Sequence, residues 1–238
     1  MAIIYVSHSM VFGEAMSGIL YGVGLGPGDP DLITLKSSKL ISAAQVIAYP
    51  SLAGGDSFAR AIAADLIKKG TEEIVIDVPM SIEREPAQAA YDVGAAKIEA
   101  ALLNGHNVVC LCEGDPFFYG SFMYIYARLI DKYRIEVVPG VTSITTCAAR
   151  AGTPLAARNE RLTVLPGPLS AEELSVRIEG AESVAILKVG RHLEKIRVVI
   201  EGLGLSAQAT YVERASLPDE LVCPLIDAPK KAPYFSMI

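Results

Sequence analysis

Cysteine, histidine and basic residues are all scarce in this 238-residue chain. Its four cysteines (Cys110, Cys112, Cys147, Cys223) are too few for a disulfide framework at this length, and no Cys/His grouping has zinc-site spacing, so no metal is expected. His8, His106 and His192 stand in separate segments with no Ser/His/Asp constellation around them, which leaves no nucleophile or base of the usual kind. Lys and Arg number 21 against 27 Asp and Glu, a net charge of −6, whereas proteins that track a nucleic-acid backbone are normally basic. No nucleic-acid partner is expected. No run approaches the ~18 apolar residues of a membrane span, so no membrane partner is expected either. Residues 1–17 hold neither Lys nor Arg, so the basic start of a secretory leader is missing and the cytoplasm is the expected compartment.

What is present is core material: 51% of the residues are hydrophobic and only 20% charged, enough for one large or two compact domains. From Gly18 to Val138, short β-branched runs alternate with longer helical patterns, the signature of parallel βα units. The spacing predicts strands over 19–23, 46–49, 74–78, 108–112 and 135–138. Helices are predicted over 57–69, 86–104 and 121–133, the first two punctuated by Gly70 and Gly105. After Pro139 the pattern loosens into a second α/β stretch. Its predicted strands are 162–165, 184–189, 209–213, 221–227 and the tail 234–238, with helices near 171–179 and 192–202. The expected division is an extension at 1–17, an N-terminal α/β domain at 18–138 and a C-terminal α/β domain at 139–238. Residues 1–137 carry 10 basic and 16 acidic side chains and the remainder 11 of each, so the second part is relatively rich in cations.

Three strand-to-helix turns carry unusual chemistry. The first, Gly22-Val23-Gly24-Leu25-Gly26-Pro27-Gly28-Asp29, is glycine-rich but lacks dinucleotide-loop spacing, since Pro27 and Asp29 stand where glycine would be needed. No Gly-Lys-Ser/Thr follows, and Asp29 and Asp31 would repel phosphate. The glycines suggest either close backbone approach by a ligand without phosphates or a tight structural turn. The second, Glu113-Gly114-Asp115-Pro116-Phe117-Phe118-Tyr119, follows the apolar strand 108–112, whose Cys110 and Cys112 read as core. Its acids suit ribose hydroxyls or a cationic ligand; in isolation an Asp-Pro turn with solvated acids fits as well. The third, Pro139-Gly140-Val141-Thr142-Ser143, puts hydroxyls at a helix entry, where a simple N-cap is the commonest role. All three sit at the carboxyl ends of predicted parallel strands, where ligands of such sheets bind.

In order and spacing, Gly24-x-Gly26-Pro27-Gly28-Asp29-Pro30-x-Leu32-x-Thr34, Gly114-Asp115-Pro116-x-x-Tyr119 and Pro139-Gly140-Val141-Thr142-Ser143 resemble the tetrapyrrole methylases that use S-adenosylmethionine. Ile186-Leu187-Lys188-Val189-Gly190 is similar to that family's apolar strand ending in Met-Gly, with Val189 in the methionine position. Val212-Glu213-Arg214-Ala215-Ser216 resembles a later turn of the family. Within the family, Tyr49-Pro50-Ser51, Gly55-Asp56-Ser57-Phe58 and the run Gly114 to Tyr124 are similar to the branch that methylates precorrin-2 at C20. The resemblance covers residues 18–238. It implies a parallel-sheet N-terminal domain, a mixed-sheet C-terminal domain and a homodimer. It also implies S-adenosylmethionine held by Pro27, Gly114, Asp115, Phe118, Thr142, Ser143, Val189 and Ala215, with Glu113 beside them.

That cofactor has a sulfonium and no phosphate, which an acidic glycine loop would favour. A tetrapyrrole acceptor carries many carboxylates, for which Arg84, Arg150, Arg158, Arg161, Lys188 and Arg191 are candidate cations. Gly26 is expected to border the meeting place of acceptor and methyl group, so that valine there would block the ring more than it harms stability. The implied reaction needs no protein nucleophile, because an electron-rich meso carbon attacks the methyl itself; Tyr119 or Glu113 is the candidate for the released proton. The alternatives are a cobalt-loaded acceptor, uroporphyrinogen III or a diphthine precursor on the same fold, and a non-catalytic ligand-binding module.

Overall fold

The computed structural model describes residues 17–52, 55–79 and 84–238; all but the last residue of the expected extension lies outside the described residues. Five parallel strands form the first sheet: β1 (Leu20–Gly24), β2 (Val46–Leu52), β3 (Glu72–Val78), β4 (Val108–Cys112) and β5 (Ile135–Val138), in the order β3-β2-β4-β1-β5. Every residue of β4 is buried, which explains its unbroken Val-Val-Cys-Leu-Cys run: a central parallel strand is covered on both faces. Alternation decides which face each residue serves. Val108, Cys110 and Cys112 pack with Ile98, Leu102, Phe122 and Ile125 of α3 (Arg84–Leu103) and α4 (Phe122–Leu129). Val109 and Leu111 pack with Ile41, Ala59 and Ile62 of α1 (Leu35–Ala43) and α2 (Phe58–Ile62). Burial pushes the Cys110 thiol well above its ordinary value, in keeping with a core role.

The helix predicted over 57–69 is cut short. It ends at Ile62 and is followed by a single tighter turn at Ala64–Leu66, after which Ile67 is extended; Leu66 and Ile67 both still reach the same core cluster. Nearby, Arg60 donates to both carboxylate oxygens of Glu73 (2.7 and 2.8 Å) and Tyr49 donates its hydroxyl to the same group. Hydrogen bonding from Arg60 holds the Glu73 carboxyl below its ordinary value, against a smaller opposing effect of burial. A folded-state value below the unfolded one means that Glu73 stabilises fully above about pH 4.5 and loses its contribution as pH falls through the lowered value. Glu73→Gln is therefore expected to lower the melting temperature at pH 7, with the gap to the parent narrowing as the carboxyl protonates in acid; a gap that stays constant with falling pH would contradict the pairing.

The second sheet is mixed, in the order β6-β7-β10-β8-β9, from β6 (Leu162–Pro166), β7 (Ser183–Leu187), β8 (Thr210–Glu213), β9 (Leu221–Pro224) and β10 (Ser236–Met237). Only β6 and β7 are parallel. Alternation again divides the residues: Ile186 and Tyr211 face α6 (Ala171–Ile178) and α7 (Leu193–Gly202), whereas Ala185, Leu187, Val212 and Met237 face α5 (Ser143–Ala151). Because α5 follows β5 directly, it carries the chain from the first sheet onto the second. Two predicted strands stop early. β7 ends at Leu187 because Lys188 takes a left-handed conformation (φ 56°), and β9 ends at Pro224, beyond which the turn Leu225–Asp227 and its flanking Ala228 let the carbonyls of Leu225 and Ala228 accept from Arg197. No described helix is long and apolar enough to cross a membrane.

Candidate functional site

The three unusual turns meet because β1 lies between β4 and β5, so their carboxyl ends are neighbours. They are fastened to one another through backbone. Gly26 and Gly114 exchange hydrogen bonds in both directions (3.2 and 2.7 Å), and both take positive φ, 79° and 63°. Gly24 and Gly140 approach so closely that a Cβ on Gly24 would lie 2.6 Å from the Gly140 Cα, and a Cβ on Gly140 would lie 2.1 Å from the Gly114 carbonyl oxygen. Asp115 completes the fastening: one carboxylate oxygen accepts from the Phe117 amide (2.9 Å), the other from the Gly140 amide across the gap between turns (3.0 Å). Thr142 caps α5 by accepting from the Thr145 amide.

Loops of the second sheet stand opposite. The Asp29 amide donates to the Ser216 hydroxyl (3.2 Å), Arg214 donates its amide to the Phe235 carbonyl (2.9 Å), and the rings of Phe58 and Phe235 lie 4.7 Å apart. Between the halves is a crevice of about 220 Å³. Its floor is Pro27, Glu113, Gly114 and Asp115, its aromatic wall Phe118, Tyr119, Tyr234 and Phe235, and its far side Leu187, Lys188, Arg214 and Ala215. Acids thus line the first half and cations the second. Lys188 places its ammonium 5.4 Å from the centre of the Tyr119 ring, and Arg214 pairs with Asp219 at 2.7 Å.

Five described residues other than glycine have positive φ, and Tyr119, Lys188 and Arg214 among them line this crevice. Each such position costs on the order of 1–3 kcal/mol, and such costs concentrate at functional sites. A roomier hollow of about 370 Å³ lies against β7, β8 and α5, and none of the three glycine-containing turns lines it.

The profile of the Tetrapyrrole (Corrin/Porphyrin) Methylases matches residues 19–226. The chain belongs to this family. It is 38% identical over 236 residues to a precorrin-2 C(20)-methyltransferase of Sinorhizobium sp, covering 94% of this chain and 96% of the relative. It is 30% identical to the cobalt-precorrin-2 C(20)-methyltransferase of Salmonella typhimurium, with the same coverage of both chains. Among solved structures, the uroporphyrin-III C-methyl transferase of Thermus thermophilus in complex with S-adenyl homocysteine matches with a TM-score of 0.65 at 26% identity, over 92% of this chain and 96% of that one.

For a methylase of this family the crevice has a suitable donor set: two carboxyl groups, helix-entry hydroxyls at Thr142 and Ser143, aromatic and aliphatic walls, and no cluster of cations that would ask for phosphate. Of the residues singled out in the sequence, Pro27, Glu113, Gly114, Asp115, Phe118, Tyr119, Thr142, Ser143, Lys188 and Ala215 all line it. Others lie elsewhere. Val189 is wholly buried in the core of the second sheet. Gly26 sits behind the floor as the partner of Gly114, and its positive φ means that valine there strains the backbone as well as crowding the site. Arg150 pairs with Glu220 and faces a separate hollow on the outer side of the glycine turn. Arg161 pairs with Glu182; Arg158 and Arg191 are absent from the crevice wall, and of Arg84 only its place at the start of α3 is described.

Sequence reasoning missed Arg214 and the tail residues Tyr234 to Met237. Arg214 stands beside Ala215 within the turn Val212 to Ser216, and both line the crevice. The tail gave no local signal, because it reaches the crevice only by inserting β10 between β7 and β8.

Proposed function

We propose that this chain transfers the methyl group of S-adenosylmethionine to C20 of precorrin-2, giving precorrin-3A in the assembly of a corrin ring. The observation that carries the reading is the 38% identity to a precorrin-2 C(20)-methyltransferase over nearly the full length of both chains, since the shared stretch includes all three crevice turns. Bound S-adenosylmethionine supplies an electrophilic methyl group on a positively charged sulfur. Gly114, Thr142, Ser143 and Ala215 hold the cofactor through backbone and hydroxyl groups, Pro27 and Phe118 pack against it, and the carboxyls of Glu113 and Asp115 favour its positive charge. Lys188 and Arg214, on the opposite side, suit the carboxylates of a tetrapyrrole.

With an electron-rich meso carbon as nucleophile, the protein's work is alignment and exclusion of water, effects that reach ~7–11 kcal/mol for well-oriented reactants. Residues 18–138 and 139–238 act as the two domains that close on the reactants, with 1–17 as an extension. The working unit is a cytoplasmic homodimer; sedimentation at micromolar concentration is expected to give twice the chain mass, and a monomer would count against it. A second reading, with cobalt already in the acceptor, draws on the relative from Salmonella typhimurium. Turnover of labelled cofactor with precorrin-2, cobalt-precorrin-2 and uroporphyrinogen III in parallel tests the proposal. The first acceptor is expected to react fastest, and preference for uroporphyrinogen III would overturn it.

A further inference from the structure

Methylation of a meso carbon that carries hydrogen releases a proton, and the crevice offers few groups able to take it. Asp115 is committed, with one carboxylate oxygen on the Phe117 amide and the other on the Gly140 amide. Tyr119 turns its ring to the Lys188 ammonium. Thr142 is occupied in capping α5. Cys147, at the edge of the crevice, is held as a neutral thiol by burial, its pKa pushed up to about 12.

Glu113 also meets two backbone amides, its own and that of Ala59, but burial outweighs them and it does not tie two turns together as Asp115 does. It stands at the carboxyl end of the central strand β4 and lines the crevice floor, and no described Lys or Arg pairs with it. Its neighbours include two tyrosines: Tyr91, whose ring centre lies 4.8 Å from that of Tyr124, and Tyr234 from the tail. The charge of Glu113 adds to the burial that raises the phenols of Tyr91 and Tyr234, so both lie within its field and both stay protonated. Burial also raises Glu113 above the usual carboxylate range, opposed in part by the amides of Glu113 itself and Ala59.

We infer that Glu113 is the catalytic base that removes the C20 proton during methyl transfer. This rests on the reading of the chain as a precorrin-2 C20-methylase. The C20 electron pair forms the new C–CH₃ bond as the S–CH₃ bond breaks with its pair going to sulfur. The C20–H bond then breaks, its pair returns to the conjugated ring, and the proton goes to a Glu113 carboxylate oxygen and from there to solvent at the crevice mouth. A carboxyl raised towards the working pH matches this task, because a base is most effective when its pKa lies near that pH. The base must be ionised, so the rate rises with pH through the pKa of Glu113. The titratable groups within its field, Tyr91, Tyr234 and Cys112, are all raised and so stay neutral over that range.

The test compares the parent with Glu113→Gln and Glu113→Asp. First, the parent must methylate precorrin-2; failure there defeats the underlying reading rather than the assignment of the base. With that control in place, Glu113→Gln is expected to lose ~10²-fold or more in kcat. It should bind S-adenosylhomocysteine within a few-fold of the parent by calorimetry and lose the rising limb of the pH profile. Glu113→Asp should recover part of the rate. Infrared difference spectra of parent against Glu113→Gln, without substrate, should show a carboxyl band titrating above the ordinary glutamate range. Parent-like turnover in Glu113→Gln would overturn the assignment. So would a loss of homocysteine-cofactor affinity equal to the loss of rate, which would make Glu113 a cofactor holder, or a carboxyl titrating in the ordinary range.

Discussion

Gly140→Ala is expected to be among the most damaging single-methyl additions in this chain. The new Cβ would lie 2.1 Å from the Gly114 carbonyl oxygen, 2.9 Å from the Gly24 Cα and 3.0 Å from the Gly24 carbonyl carbon, and all three are backbone atoms that cannot rotate away. Overpacking of a close contact costs ~3 kcal/mol or more where the backbone has to move. At about 2–4 °C per kcal/mol for a chain of this size, the melting temperature should fall by roughly 6–12 °C. Binding of S-adenosylhomocysteine should fall with it, because the same displacement parts the turns that floor the crevice. Gly202→Ala is the matched control: it ends α7, nothing stands within 4 Å of its added Cβ, and its φ is not positive. It should leave the melting temperature unchanged or raised, since alanine restricts the unfolded chain. Equal effects of the two substitutions, seen in thermal melts, would mean that the three turns are not held at contact distance.

Asp115→Asn is expected to be nearly as harmful as Asp115→Ala. The carboxylate uses both oxygens as acceptors, for Phe117 and for Gly140, so an asparagine must present its NH₂ to one of two amide donors. Hydrogen bonds to charged groups are worth ~1.5–3 kcal/mol, and the Gly140 amide is partly buried, so water replaces the lost partner poorly there. Cofactor affinity should drop about tenfold or more, equivalent to ~1.4 kcal/mol, together with a lower melting temperature. The expectation from sequence alone, an acid that touches the ligand and can be removed without harm to the fold, thus gives way to an acid that ties two turns together. Calorimetry with S-adenosylhomocysteine and thermal melts of both variants check this. An asparagine variant equal to the parent in both would show that the tie carries no weight.

Much of this architecture is legible in local sequence because its causes are local. The run Val108 to Cys112 is apolar at every position, which only a strand covered on both faces requires, and the glycine and proline punctuation marks the three turns. What the sequence conceals is long-range. Gly24 and Gly140 are 116 positions apart, and their contact exists only because β1 and β5 are paired in register, Leu20 opposite Ile135. The inner position of β10 is likewise invisible in Ser236 and Met237 themselves, and with it goes the reach of Tyr234 and Phe235 into the crevice. The burial of Val189 has a different cause. The left-handed turn at Lys188 directs one residue to the crevice and the next into the core, and a φ of 56° at a lysine has no signature in the sequence.

Carbon NMR of the product formed from S-adenosylmethionine labelled in its methyl group tests the central claim most directly. With precorrin-2 as acceptor, the account predicts a single new labelled methyl bonded to a trigonal ring carbon, C20, and no hydrogen remaining at that carbon. A labelled methyl on a saturated ring carbon, or an unmethylated acceptor alongside active methylation of uroporphyrinogen III, would contradict it.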